Sequence, residues 1–289
     1  MSWKIFSIAV LFLCPALPAH AQDAQQPQPS APQAEPAKPA AAQPGDQVNT
    51  GGGFSIQPYY WLTRGNPVLR AGAAYTGTVS GNLNFPGNVK HTPGVILSFP
   101  AGKGSTLRAS FFRTQGSGST TAAQDLNLFG TPFSKGDLLS TAYTIYNVKA
   151  SWDYLTYPFR PNLRLKTLWE VQYSDISSRI DALNDPNASA GGAITAKGSR
   201  KVIWPTFGLG LENTVSRHFR WEVKGSAFGV PHHALIWDTE ATLAFRFGPF
   251  EILGGEKAYH VKTSPQNAEF LSTTLWGGYA GVRWYLGGK

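Results

Sequence analysis

Apolar and polar residues alternate with a period of two along most of this chain. The pattern is clearest over residues 138–173, where Tyr146, Val148, Trp152 and Tyr154 share one set of alternate positions and the pattern resumes after a short break. A period of two places successive side chains on opposite faces of a strand, whereas a helix repeats every 3.6 residues. Runs of ten or more residues match the roughly 9 to 11 that cross a bilayer as a tilted strand. We therefore predict a transmembrane β-hairpin here.

The same alternation predicts about ten strands along the chain. The expected fold is all-β, an antiparallel up-and-down transmembrane β-barrel of about ten strands, with eight or twelve as alternatives. A further alternating piece, residues 73–82, would either extend the first hairpin or add a strand. The predicted strands are 54–62, 93–99, 106–114, 139–154, 163–174, 201–213, 219–228, 235–247, 250–262 and 270–286.

The predicted connections alternate between short and long. Short turns occur at 100–105, 157–162, 216–218 and 248–249, and longer connections at 63–92, 115–138, 175–200, 229–234 and 263–269. Short turns on one side and long loops on the other are typical of outer-membrane barrels, in which the short turns face the periplasm. Both chain ends would then lie on the short-turn side, which requires an even number of strands.

The first 21 residues form a predicted secretory signal peptide. Lys4 supplies the positive charge, residues 5–14 the short apolar stretch, and Ala19-His20-Ala21 the small-residue cleavage site. Cleavage would remove Cys14, the only cysteine, so the mature chain is expected to contain no disulfide and no thiolate metal site.

Residues 22–53 are rich in Pro, Ala and Gln. Such a segment buries too little apolar surface to offset its chain entropy, so we expect a disordered periplasmic leader. A contact with the cell wall is one role for it, and a solvated linker is the simpler interpretation. Residues 54–289 would form the barrel.

The composition supports a membrane strand protein. Only 15% of the residues are charged, against about 25% in soluble domains. The formal net charge of +8 is spread along the chain without a basic cluster, so no nucleic acid partner is expected. No motif in the sequence calls for a cofactor or a metal.

From residue 54 to 284 the chain resembles bacterial outer-membrane β-barrel proteins of the small monomeric class. The features that carry the resemblance are Ala19-His20-Ala21, the alternating segments and the final run Trp276, Gly278, Ala280, Val282, Trp284 and Leu286. The resemblance implies outer-membrane lipid as surroundings and the barrel insertion machinery as a partner. The final run resembles the C-terminal signal that these proteins present to that machinery. It departs from the family pattern in one respect, because the family usually ends in an aromatic residue and this chain continues to Lys289.

Aromatic residues near the strand ends distinguish a barrel from a soluble β-sandwich, the alternative that alternation also allows. Membrane barrels carry aromatic girdles at both lipid interfaces. The residues predicted to form them are Trp152, Tyr154, Trp169, Tyr173, Trp237, Phe245, Phe247, Trp276 and Trp284.

Charged residues recur on the opposite face, which points into the lumen of a barrel. Buried charges must be paired or hydrated, so we predict a lumen charge network. The hairpin registers that we expect place Asp153 opposite Arg164, Arg246 opposite Ile252, and Asp238 opposite His260. The predicted members are Lys149, Asp153, Arg164, Lys166, Glu170, Arg220, Glu222, Lys224, Asp238, Glu240, Arg246 and His260.

Ten strands lie close to the roughly eight whose interior is filled by side chains. We therefore expect a mostly closed polar lumen, and a structural or narrow-pore surface protein whose extracellular loops mediate interactions. The alternative is a rim-active hydrolase acting on lipid or peptide. Its weak catalytic candidates are Ser226, Asp238 and His260, next to His232 and His233. The more economical interpretation assigns them to the ion-pair network, so we do not expect an enzyme.

Overall fold

Strands make up all of the regular structure in the computed structural model of this chain, which describes residues 53–71, 81–85, 89–102, 104–160, 162–183, 194–231, 234–263 and 269–287. No helix in those ranges is long and apolar enough to span a membrane. The strands are β1 (Phe54–Thr63), β2 (Val68–Ala71), β3 (Gly81–Asn84), β4 (Lys90–Pro100), β5 (Ser105–Thr121), β6 (Leu126–Leu128), β7 (Thr131–Phe133), β8 (Leu138–Arg160), β9 (Leu163–Ala182), β10 (Thr195–Thr214), β11 (Phe219–Val230), β12 (Ala234–Phe247), β13 (Phe250–Lys262) and β14 (Glu269–Leu286).

Ten of these strands close into one antiparallel barrel. Their order around the wall is β1-β4-β5-β8-β9-β10-β11-β12-β13-β14, and β14 pairs with β1, with Leu286 opposite Phe54. The predicted up-and-down barrel of ten strands is therefore confirmed, and the eight- and twelve-stranded alternatives are wrong. A soluble β-sandwich is also wrong, because the ten long strands form one sheet that closes on itself through the pairing of β14 with β1.

The four remaining short strands lie at the long-loop end of the barrel. The strand β2 pairs with the start of β14, where Val68 lies opposite Ser272, and β3 pairs with β2. Of the alternating segment 73–82, only Gly81 and Asn82 lie within the described residues, and they belong to β3. The short strands β6 and β7 form a separate hairpin within the connection between β5 and β8. The predicted signal peptide and all of the leader except Gly53 lie outside the described residues.

The outer wall of the barrel is apolar. Ile203 has 68% of its surface exposed, and Trp169 has 53%. Soluble domains rarely expose a large continuous apolar surface, whereas a lipid-facing wall requires one. All nine predicted girdle residues lie on this outer wall. Trp152, Tyr154, Trp169, Phe245, Phe247, Trp276 and Trp284 are exposed, and Tyr173 and Trp237 are half-buried.

The hairpin of β8 and β9 turns later than the sequence suggested. Both strands continue to Arg160 and Leu163, with irregular pairing near Leu155, so the connection is two residues long. Asp153 therefore lies opposite Leu168 and not opposite Arg164. Because the shift is an even number of residues, every side chain stays on its predicted face.

The hairpin of β12 and β13 differs from the prediction by one residue, which does change a face. Phe247 pairs with Phe250 around a two-residue turn, and Arg246 lies opposite Glu251. Gly248 has a φ of +60°, and the proline after it favours a φ near −65°, a combination that fits a type II′ turn. The side chains of β13 are consequently reversed, because a slip of one residue exchanges the two faces of a strand.

A glycine on β4 makes room for a tyrosine inside the wall. A Cβ atom built on Gly94 would lie 2.3 Å from Cζ of Tyr59, whose side chain is buried. We predict that Gly94→Ala displaces this ring and lowers the free energy of unfolding by about 1–3 kcal/mol, the usual cost of overpacking. Urea unfolding of the refolded barrel in liposomes measures the change.

The matched control is Gly254→Ala on β13. There the nearest atom to an added Cβ is the Tyr279 carbonyl oxygen at 3.8 Å, an ordinary contact. Equal stability of the two variants would contradict the close packing of Tyr59 over Gly94.

Candidate functional site: the barrel interior

The interior of the barrel is divided into layers along its axis. Polar and charged side chains from the short-turn halves of the strands fill its middle, and apolar side chains fill the long-loop end. A cavity lies at the short-turn end. Among the described residues, the polar and titratable side chains that could bind a ligand or take part in a reaction lie mainly in these layers. The outer wall presents mainly apolar side chains.

Lys149 connects three strands in the centre of the lumen. Its Nζ atom lies 3.1 Å from Oε1 of Glu170 on β9 and 2.8 Å from Oδ2 of Asp238 on β12, on the far side of the barrel from β8. The hydroxyl of Ser226 on β11 lies within hydrogen-bond distance of both carboxylates and can donate its one hydrogen to either. Gln172 donates a hydrogen bond to Asp238 at 3.0 Å. The two carboxylates are therefore compensated from several strands at once.

A second set of ion pairs lies nearer the short turns. Nε of Arg108 on β5 lies 3.0 Å from Oδ2 of Asp153, and its Nη2 lies 3.4 Å from Oε1 of Glu222 on β11. Lys166 on β9 pairs with Glu212 on β10 and also lies 3.5 Å from Glu222. Charged groups of five strands thus share one continuous network.

Glu240 on β12 is paired with lysines of β11 and β13 and contacts a tyrosine of β14. Lys224 lies 3.3 Å from one of its oxygens and Lys257 lies 3.5 Å from the other. The hydroxyl of Tyr279 donates a hydrogen bond to Glu240 at 3.2 Å. Below it, Arg220 donates two hydrogen bonds to Glu251, at 2.6 and 2.8 Å. This paired-fork geometry is the strongest form of ion pair available to a carboxylate.

Arg283 on β14 completes the ring of charges. It donates to Glu251 at 3.0 Å and to the amide oxygen of Gln57 on β1. Because β1 and β14 are the two strands that close the barrel, this contact also joins the two ends of the sheet. The network therefore has members on β1, on β5 and on every strand from β8 to β14.

An aromatic layer covers the network on the long-loop side. The rings of Trp61 and Phe112 meet edge to face at 5.5 Å, and Phe112 meets Tyr259 at 5.3 Å. Farther out, Phe85 of the connection between β3 and β4 packs edge to face against Tyr143 at 5.6 Å. These side chains are buried, so this end of the lumen is filled by apolar groups.

The cavity at the short-turn end has a volume of about 230 Å³. Turn residues such as Gly102 and Arg217 contribute to its lining, so it opens at this end of the barrel. The ion pairs of Arg108 and Lys166 lie at its inner end. The cavity is a blind vestibule in the described structure, since packed layers occupy the lumen beyond it.

Most of the predicted lumen charges do lie inside the barrel. Lys149, Asp153, Glu170, Glu222, Asp238 and Glu240 are buried there, and Lys166, Arg220 and Lys224 are half-buried members of the same network. Arg164 and Arg246 are half-buried and line the vestibule. The structure does not pair Arg164 with Asp153. Its register neighbours are Pro158 and Glu212.

His260 is the exception, and its predicted place in the lumen is wrong. It lies on the outer wall, where its ring stacks on Trp237 at 5.4 Å and its Nδ1 atom lies 2.8 Å from Oγ1 of Thr274. The cause is the one-residue difference in register at Gly248. Tyr259 occupies the inward position opposite Asp238 instead.

The weak catalytic candidates are consequently not assembled. Ser226 and Asp238 meet at 3.2 Å within the buried network, whereas His260 lies on the other side of the wall. A serine nucleophile needs an imidazole within hydrogen-bond reach to accept its proton. His232 and His233 lie outside the described residues. No group of three or more His, Cys, Asp or Glu side chains in the described ranges could hold a metal ion.

Sequence reasoning missed several members of the site. Glu251, Lys257 and Tyr259 were assigned to the outer face by the same register error, and the turn signal of Gly248 and Pro249 was the information that would have corrected it. Arg108 and Glu212 face inward on strands that were predicted correctly. Their alternation with Leu107 and Leu211 was sufficient to find them.

Beyond the apolar wall, the ends of β9 and β10 carry polar side chains. Arg179 donates to the Asp181 carboxylate at 2.9 Å, and Thr195 donates to it at 2.6 Å. Partial burial raises the pKa of Asp181, but these hydrogen bonds lower it by more, so the pKa lies below its usual value. This end of the barrel therefore presents polar and charged side chains.

Comparison with known proteins supports the fold and nothing finer. No protein-family model and no curated protein matches the chain. Among solved structures, the outer membrane protease OmpT of Escherichia coli is similar with a TM-score of 0.56 and 11% identity, over 82% of this chain and 98% of that one. The translocator domain of autotransporter NalP from Neisseria meningitidis has a TM-score of 0.43 and 12% identity, over 81% and 89% of the chains. The similarity to OmpT and the closed wall of ten strands confirm, at the level of the fold, the expected resemblance to outer-membrane β-barrels.

Proposed function

We propose that this protein is a bacterial outer-membrane β-barrel with a plugged lumen, acting as a structural surface protein that presents its long-loop end outside the cell. The signal peptide, the periplasmic leader and use of the barrel insertion machinery belong to this proposal. A contact of the leader with the cell wall is a further part of it.

The observation that carries the proposal is the bridge of Lys149 across the lumen. It joins Glu170 on the neighbouring strand β9 to Asp238 on β12, four strands away from β8 around the wall, and lies within hydrogen-bond distance of both. An ion that enters must break charge-assisted hydrogen bonds, which are roughly twice as strong as neutral ones. It must then cross the aromatic layer that contains Trp61, which has no exposed surface.

The alternative within this proposal is a barrel whose lumen forms a narrow pore. The lumen is lined by charged groups, which is also a feature of selective conduits. The ion pairs and the aromatic layer favour the plug, because they occupy the lumen beyond the cavity at the short-turn end. The hydrolase alternative is not proposed, since its serine and histidine do not meet.

We predict that the purified barrel produces no conductance steps above the lipid background in planar bilayers. The Glu170→Ala variant should also stay silent, because the aromatic layer remains in place above the removed carboxylate. A 16-stranded porin inserted into the same bilayers is the positive control, since barrels of that size contain an aqueous channel. Reproducible steps from the wild-type barrel would support the narrow pore and reject the plug.

We predict that Lys149→Ala lowers the free energy of unfolding by about 3–5 kcal/mol, the usual cost of removing one partner of a buried ion pair. The physical reason is that Glu170 and Asp238 would face each other without a cation between them. Urea unfolding in liposomes measures the change. The matched control is Lys201→Ala, whose side chain is exposed. A loss no larger than that of the control would show that the bridge does not hold the lumen together.

The orientation of the barrel is tested by cysteine labelling of whole cells. The only cysteine of the chain lies in the predicted signal peptide, so a single introduced cysteine reports one position. We expect Lys135→Cys, exposed at the long-loop end, to react with a membrane-impermeant maleimide on intact cells. Asn162→Cys, exposed in a short turn, should react only after the outer membrane is permeabilised. The reverse pattern would contradict the proposed orientation.

A further inference from the structure

The vestibule at the short-turn end has a strong excess of positive charge. Seven cationic side chains and two carboxylates are found among its described lining residues. Two more carboxylates, Asp153 and Glu222, lie just beyond it and pair with Arg108. Even when all four carboxylates are counted, three positive charges remain. Among the described residues, the cations around this part of the lumen therefore outnumber the carboxylates.

The deep cations of the vestibule already have carboxylate partners. Arg108 and Lys166 are held at the inner end by the central network. Arg220 and Arg283 share Glu251. These contacts fix the side chains that form the floor and one wall of the cavity, so that the lining is preorganised.

The other arginines lie nearer the mouth. Arg164 comes from β9, Arg217 from the turn between β10 and β11, and Arg246 from the end of β12. For Arg164, no carboxylate lies within ion-pair distance among the described residues. Arg246 stacks over the ring of Tyr285 at 4.6 Å, which holds its guanidinium plane against the wall. Three separate segments thus direct guanidinium groups toward one concave space.

We propose that this vestibule binds a small anion carrying two or more phosphate or carboxylate groups. The guanidinium group presents its N–H donors in a planar fork that matches both acids. Several such groups around a cavity of about 230 Å³ suit an anion with more than one acid group better than a single chloride ion. The focused field of a positively charged concave site also increases the local concentration of anions.

The site is a binding site and not a stage of transport. The ion pairs and the aromatic layer occupy the lumen beyond it, so an anion enters and leaves by the same mouth. Only the statement that the anion is not transported rests on the proposed plugged lumen. Under the proposed orientation, the mouth faces the periplasm, and the ligand belongs to that compartment.

The test is calorimetric titration of the refolded full-length mature chain in a zwitterionic detergent. Pyrophosphate and citrate are the two probes, one for each acid, with sodium chloride at matched ionic strength as the blank. We expect saturable binding of at least one probe with a stoichiometry near one. The variant that combines Arg164→Gln and Arg217→Gln should weaken binding at least tenfold, because it removes two charges at the mouth while leaving the paired arginines in place.

The matched control is Arg179→Gln, which removes one exposed arginine at the opposite end of the barrel and should bind as the wild type does. Heat-modified gel mobility confirms that each variant is folded. Binding that is unchanged in the double variant, or heats that the chloride blank reproduces, would overturn the proposal. The two probes separate a phosphate site from a carboxylate site. Failure of the proposed plug and failure of the proposed anion site can be told apart. Conductance steps in planar bilayers would reject the plug, whereas the titration by itself decides whether the anion binds.

Discussion

The free-energy cost of burying charged side chains inside the barrel constrains the whole of this structure. An uncompensated carboxylate or ammonium group in a low-dielectric interior is costly, so each buried charge needs partners with good geometry. Glu222, Glu240 and Glu251 each meet cations from at least two strands. The partners come from around the barrel, which makes correct closure of the sheet a condition for satisfying the charges. The network and the barrel therefore depend on each other.

The same constraint explains the layered interior. Where strands run beside lipid, the inward faces hold polar groups that pair across a narrow lumen. Where strands extend beyond the apolar wall, the inward faces are apolar, and Ile145, Ile176 and Ile180 pack there as in a soluble core. The strand extensions are thus stabilised by ordinary hydrophobic burial. The lumen charge network fills the middle of the barrel and this apolar core fills the long-loop end. In the described structure, the positively charged vestibule is left as a blind cavity at the short-turn end.

Local sequence patterns predicted the wall well. The alternation of Trp152 and Tyr154 with Ser151 and Asp153 identifies the two faces of β8 without any knowledge of the neighbouring strands. The predicted strand limits differ from the structure mainly where strands extend past the membrane, as β5 does to Thr121. Those extensions carry Gly, Ser and Thr, which resemble loop residues in composition. Pairing with β8 is what makes them strands.

The sequence by itself determined that this chain forms a barrel of tilted strands with an aromatic outer surface and a charged inner one. A period of two is a property of neighbouring residues, so it can be recognised locally. Only the tertiary structure decided which charges meet. Asp238 is 89 residues from Lys149, and His260 lies on the outer wall because β12 and β13 pair one residue away from the expected register. Both facts depend on register and closure, which couple segments that are far apart along the chain.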